Sequence, residues 1–268
     1  MPQDLTGKLE LIKKRAQRRG DVLPAFLPSC PDNKRATPNT FLRSALFSAI
    51  QSKDRIFLKE EILASQAGVI VKFTGEQLNQ EDLTVWEALV HLAKEQPIGT
   101  ICDFSAYEIL ISLDLPTNGD GYKKLHSTLI RLMACAVEIR HGGTTYSGSL
   151  IVHSIKDEKT SHYLIELNKS IINLYGQTEW TRIDWKQRNA LKRKPLAMAL
   201  HGYYSSHKSP YPVKIETLMK LSGSKSKQLA NFKIKVNNAL HELVAIGFLV
   251  EFKIEGGLVS VNRLSTLE

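Results

Sequence analysis

Two glycine pairs, Gly142-Gly143 and Gly256-Gly257, constrain this chain more than any other feature. Each separates two extended segments, 137–140 from 144–152 and 248–254 from 258–261, and reads as a β-hairpin turn. Each hairpin follows a run of helices in the same order. Before the first, a helix over 81–94 carries Leu83, Trp86, Leu89, Val90 and Leu92 on its apolar side and is stopped by Pro97 and Gly99. Residues 56–73 read as short strands and 100–104 as an extended piece. Ser105 with Glu108 has capping-box spacing and opens a helix that ends by Pro116. After a turn over 117–121, a helix over 123–136 points Leu125, Leu129, Leu132 and Ala136 inward.

The second hairpin follows the same succession. Asp184, with Gln187 at the capping-box position, opens a helix that runs into Lys192-Arg193-Lys194. Pro195 can open the next helix, over 196–205, because its missing N–H costs nothing in a first turn. A short helix over 215–221 is closed by Gly223, and a long one over 226–246 has Leu229, Phe232, Val236, Leu240 and Leu243 inward. Helix, short helix, longer helix and hairpin is the winged-helix order. The expected fold is therefore α+β, two tandem winged-helix domains over 39–176 and 177–268. The alternative is an α+β domain that holds these elements in another arrangement. Trp180 and Trp185, at the join, are expected in an interdomain core. Residues 1–38 read as a flexible basic arm, with Lys13, Lys14, Arg15, Arg18 and Arg19 followed by Pro24, Pro28, Pro31 and Pro38.

A net charge of +9 points to a polyanionic partner, with nucleic acid ahead of a membrane surface. No window reaches the roughly 18 apolar residues of a membrane span, so no membrane partner is expected. Cys30, Cys102 and Cys135 are odd in number and lack metal-site spacing, which argues for a reducing compartment. With no leader-like apolar stretch at the start, a cytoplasmic location is expected.

The long helix of the second unit carries the clearest binding signal. Gln228, Asn231, Lys235 and Asn238 share the face opposite its apolar stripe. Asn and Gln amides match adenine in the major groove, and Lys reaches guanine or phosphate. Residues 217–241 contain no Asp or Glu but include Lys220, Lys225, Lys227, Lys233 and Lys235. A solvated face usually mixes signs, so DNA contact is the expectation. Ser222, Ser224 and Ser226, in the turn, can donate to phosphates. The matching helix of the first unit offers Lys123, Lys124, Ser127, Thr128 and Arg131, as a DNA or a dimer surface. Arg140, His141, Lys253 and Arg263 on the wings are candidate backbone contacts.

The sequence carries few motifs for chemistry. No G-x-x-x-x-G-K-[ST] loop, zinc spacing or G-x-S-x-G elbow is present in the sequence. His201 and His207 flank Tyr203 and Tyr204, but a nicking site needs metal-binding histidines that converge on its tyrosine. These lie along one helix end, so both tyrosines are read as packing and phosphate-contact residues. No enzyme activity, cofactor or metal is expected.

The strings NTFLRSALFSAIQSKDRIF, FTGEQLNQEDLTVWEALVHLA, LHSTLIRLMACAVEI and KPLAMALHGYYSSHKSPYPVKIETLMKLSGS resemble the TrfA replication initiators of broad-host-range plasmids, over about 39–261. The resemblance implies two winged-helix domains that bind iterons in double-stranded origin DNA and open an adjacent AT-rich region, exposing single strands. It implies recruitment of DnaB helicase helped by DnaA, and a shift between dimers and DNA-binding monomers. It also implies contact with the sliding clamp through a segment ending in Leu-Phe. Here Arg43-Ser44-Ala45-Leu46-Phe47 matches that ending, with Arg43 where the usual peptide begins with Gln; Leu46 and Phe47 are then the expected clamp-binding residues, the alternative being that both are core residues of the first unit. The competing function is a winged-helix transcriptional autorepressor. The Leu-Phe segment favours replication, because a repressor has no need of the clamp.

Overall fold

Both hairpins form with two-residue turns. His141 pairs with Thr144 and Glu255 with Leu258. The four turn glycines have φ of 56°, 78°, 54° and 78° in chain order, values that a Cβ would strain. The computed structural model describes residues 26–95, 97, 101–176 and 179–263. Its buried residues fall into two clusters, one running from Leu27 to Trp185 and the other from Leu191 to Val259.

The first cluster is built from β1 (Lys34–Pro38), α1 (Asn39–Leu42), β2 (Phe57–Leu63), β3 (Val69–Glu76), α2 (Gln80–Ala93), β4 (Ile101–Ser105) and α3 (Ala106–Ser112). Then follow α4 (Gly119–Ala134), β5 (Ala136–His141), β6 (Thr144–Gly148), β7 (Ile151–Lys156), β8 (His162–Leu167) and β9 (Trp180–Asp184). The strands pair antiparallel in the orders β2-β3-β5-β6, β4-β8-β7 and β1-β9. Next comes α5 (Trp185–Ala190), whose Trp185 belongs to the first cluster. The second cluster holds α6 (Pro195–Ser205), β10 (Val213–Lys214), α7 (Ile215–Leu221), α8 (Leu229–Ala245), β11 (Leu249–Glu255) and β12 (Leu258–Arg263), with sheet order β10-β12-β11.

Local chemistry places the helix starts. Ser105 and Glu108 close the expected capping box at 3.0 Å both ways. The Gln187 N–H donates to the Asp184 carboxylate at 2.9 Å, and Pro195 occupies the first turn of α6. Two helices differ from expectation. α4 starts at Gly119, because the Asn118 side chain accepts from the Gly121 N–H at 3.1 Å and caps it early. It ends at Ala134, so Ala136 is an exposed strand residue and not an inward helix residue. α8 starts at Leu229 with Gln228 as its cap, which leaves Ser226 in the turn and Leu229 exposed.

Partners distant in sequence cause the larger corrections. Residues 34–38, expected in the flexible arm, form β1 against β9, with Lys34 bonded to Asp184 at 2.8 Å. Leu27, Cys30 and Ala36 are buried in the first core. Residues 1–25 of the expected arm lie outside the described residues. The stretch 144–152 is not one strand. It turns at Ser149, whose carbonyl accepts from the Tyr146 hydroxyl at 2.6 Å, and continues as β7 in a different sheet. Trp185 packs in the first core, with its indole N–H on the Ser112 carbonyl at 3.1 Å and Arg35 4.2 Å above its ring. Trp180 packs against the same core, so neither tryptophan forms a core shared by the two clusters.

The clusters meet along a seam. Arg188 of α5 reaches Glu87 of α2, Nε to Oε2 at 2.6 Å, and neither side chain is exposed. Arg188 also donates to the Gln80 carbonyl at 3.0 Å, and the Thr37 hydroxyl donates to Glu87 at 2.7 Å. Burial drives the Glu87 carboxyl upward against the opposing pull of Arg188.

Candidate nucleic-acid interface

α8 buries Phe232, Val236, Leu240 and Leu243 completely in the second core. The 3.6-residue period then puts Gln228, Asn231, Lys235 and Asn238 on the outside, where the structure finds them exposed. Lys220, Lys225, Lys227 and Lys233 are exposed around them. Internal bonds order this face. Asn231 donates to the Gln228 amide oxygen at 3.3 Å, and Lys235 to the Ser226 hydroxyl at 3.2 Å. Ser224 accepts from the Ser226 N–H at 3.3 Å. Ser222 does not join them: it is buried, and its hydroxyl donates to the Met219 carbonyl at 3.1 Å. A groove of about 650 Å³ runs beside this face, walled in part by Gln51, Asp54, Lys194, Lys225, Lys235 and Asn238.

The first unit's face is much reduced. Lys123 and Ser127 on α4 are exposed, but Lys124 pairs with Glu81 at 2.9 Å. Thr128 is buried and accepts from Arg131 at 2.9 Å. Arg131, expected at DNA, is a structural residue. Its guanidinium binds the fully buried Asp82 at 2.8 Å, and Arg55 takes the other carboxylate oxygen at 2.9 Å. Asp82 also closes the capping box of α2 by accepting from the Asn79 N–H at 3.0 Å. A buried carboxylate requires such cations, so Arg131 is held inward.

The two hairpins divide likewise. Arg140 lies 3.6 Å from Glu138, His141 3.7 Å from Glu179, and Lys253 2.7 Å from Glu255, all on the surface. Arg263 is no backbone contact: it donates to the carbonyls of Tyr204 at 2.7 Å and His207 at 2.8 Å, and packs over Phe248.

The model of one protein family, described as TrfA protein, matches residues 9–263. The chain belongs to the TrfA family. A plasmid replication initiator protein TrfA from Escherichia coli is 30% identical over 241 residues, which cover 87% of this chain and 63% of that relative. The chain thus spans 63% of the length of this TrfA relative. RepFIB replication protein A from Escherichia coli strain K12 is 21% identical over 88% of this chain and 73% of its own. Two solved structures share the fold at 11% identity. Domains 2 and 3 of RctB give a TM-score of 0.59, covering 85% of this chain and 98% of theirs. The Pi initiator protein, solved in complex with iteron DNA, gives 0.52, covering 75% of this chain and 99% of its own.

The TrfA resemblance pointed to Leu46 and Phe47 as clamp-binding residues, and the structure corrects this. Both are 1% exposed. Phe47 packs against Phe41, with ring centroids 5.3 Å apart and the planes inclined at 56°, and its carbonyl accepts from the Gln80 amide at 2.6 Å. A peptide this deep has no surface to offer a partner. The tyrosine–histidine cluster of this TrfA-family chain is also internal. Tyr204 and His201 are completely buried, so the expected phosphate contact fails for Tyr204, whereas packing holds for both tyrosines. Burial pushes the His201 imidazole down to about 3, and its Nε2 faces the Gln187 amide oxygen at 3.2 Å. His207 turns its Nδ1 to the Tyr203 carbonyl at 2.8 Å. Among the described residues, no group of three His, Cys, Asp or Glu is placed to hold a metal, and no helix is long and apolar enough to cross a membrane.

Sequence reasoning missed the seam residues Leu42, Arg43, Ala45, Ser48 and Ala49. Small residues and one arginine in an apolar run carry no local signal. The signal lies across the seam, in Gly202 and Gly223, where a Cβ would collide with Leu42 and Ser48.

Proposed function

We propose that this protein is a non-enzymatic plasmid replication initiator that binds repeated origin sequences through two tandem winged-helix units. In this reading α7, its turn and α8 form the helix–turn–helix, α8 enters the major groove, and the β11–β12 hairpin is the wing. One observation carries it: the exposed face of α8 presents amides and lysines with no carboxylate over 217–241. Membership of the TrfA family supports the assignment to origin DNA, and the Pi initiator, of like fold, is one that binds iterons. Opening of AT-rich DNA and recruitment of a host helicase follow from the same reading. The interior positions of Leu46 and Phe47 remove the clamp contact from it.

The test is a footprint on the plasmid that encodes the protein, repeated across salt concentrations. The expected result is protection of a repeated sequence, with affinity falling at a slope of roughly 0.9 per phosphate neutralised. Uniform protection, or affinity indifferent to salt, would overturn the reading.

A further inference from the structure

We propose that the first unit sets the position of the DNA-reading helix, and that Gly223, in the turn before α8, is the positioning residue. The proposal rests on the DNA-binding reading above. It adds a dependence of the second unit's reading surface on the first. α7 holds the turn through the Gly223 N–H on Lys220 at 3.0 Å and the Ser224 N–H on Met219 at 3.1 Å. A further grip comes from the other unit. The Ala49 N–H donates to the Ser222 carbonyl at 2.6 Å, and the Lys225 ammonium to the Asp54 carbonyl. Gly223 fits so closely that a Cβ built on it would lie 2.4 Å from Ser48 Oγ, 2.8 Å from Ser48 Cβ and 3.4 Å from Ala45 Cβ.

The far end of the seam is close-packed but more yielding, because the neighbour there is the tip of a leucine side chain. A Cβ on Gly202 of α6 would lie 2.8 Å from Leu42 Cδ2, and Arg43 Nε donates to the Ser206 hydroxyl at 2.9 Å. The contact at Gly223 has no such relief, because Ser48 Cβ is held by the backbone, so it is the approach that fixes the docking geometry. Ser224 and Lys225 follow Gly223 directly, and α8 begins at Leu229. Displacement at Gly223 therefore shifts the phosphate-facing turn and re-aims a rigid helix. Recognition sites tolerate only about 0.5 Å of such error.

The structure supplies its own control. Gly223 has φ of +60°, as the residue that closes α7. Gly247 closes α8 at +70°, with nothing within 4 Å of its would-be Cβ. An alanine at either position incurs similar backbone strain, but only the one at 223 meets the first unit.

The experiment compares Gly223→Ala, Gly247→Ala, Ser48→Gly and the Ser48→Gly/Gly223→Ala pair in the full chain. The probes are the duplex defined by the origin footprint and a scrambled duplex of equal length, with the unfolding midpoint recorded for each variant. Gly223→Ala is expected to lose about tenfold or more on the origin duplex. Gly247→Ala should stay within about threefold of wild type. Ser48→Gly removes both atoms closer than 3.0 Å, so the pair should return to within about threefold of Ser48→Gly alone. Gly223→Ala binding like wild type, or a pair that binds no better than Gly223→Ala, would overturn the positioning role. A wild-type protein that does not prefer the origin duplex would overturn the proposed function, and this inference with it.

Discussion

Arg188 and Glu87 face each other across the seam at 2.6 Å, with no solvent exposure on either side chain. The pair joins α5, the helix that links the two cores, to α2 in the first. Taking two charges out of water is costly, and removing one alone is worse, because the other is left buried and uncompensated.

Arg188→Met should therefore destabilise the protein by about 3–5 kcal/mol. Adding Glu87→Gln should recover much of that loss, since the amide is neutral and can still accept from Thr37. Denaturant midpoints of the two variants and wild type test this; a single variant as stable as wild type would show that the pair is not a structural clasp.

Leu46→Ala with Phe47→Ala should unfold the protein or lower its stability by well over 3 kcal/mol, as large-to-small core changes do. Both side chains are 1% exposed and belong to the first core. Circular dichroism and thermal unfolding decide the matter. A folded double variant of unchanged stability would return these residues to the surface.

Asn231→Ala should cost about 1–3 kcal/mol on the origin duplex and little on a scrambled one, because an amide reads a base edge. Lys227→Ala should weaken both duplexes alike and reduce the salt slope by about one. Arg131→Ala should act differently from either. It should lower stability by about 1–3 kcal/mol by exposing the need of buried Asp82 for a partner, and leave the discrimination between duplexes unchanged. Equal losses on both duplexes for Asn231→Ala would mean that α8 does not read bases.

His201 predicts an acid-side loss of stability. Its folded value of about 3 lies below the 6.5 of an ordinary histidine, so the unfolded chain binds the extra proton between those limits. Stability is then full above pH 6.5 and falls as pH drops, by about 2 kcal/mol at pH 5 from this residue. Burial lowers His91 and His207 as well, which adds loss of the same sign. Stability curves of wild type and His201→Gln should therefore diverge in slope between pH 7 and 5, with the variant flatter. Parallel curves would contradict the buried neutral imidazole.

The sequence by itself determined the order of the hairpins and the helices before them, and the outward face of α8. Those features depend on nearest neighbours: two glycines that accept positive φ, a capping side chain three residues from the N–H it binds, an apolar repeat matched to a helical turn. Tertiary structure alone decided the fate of individual charges and of the Leu-Phe segment. Arg131 looked like a phosphate contact until Asp82, 49 residues earlier, claimed it. Arg263 bonds carbonyls 59 and 56 residues away, and β1 waited for β9 to complete it. Leu46 and Phe47 were readable equally as a peptide for a partner or as core, since apolar side chains are the same in both settings. Whether a long charged side chain meets water, DNA or a buried carboxylate is set by which distant segment folds against it, and no local pattern records that choice.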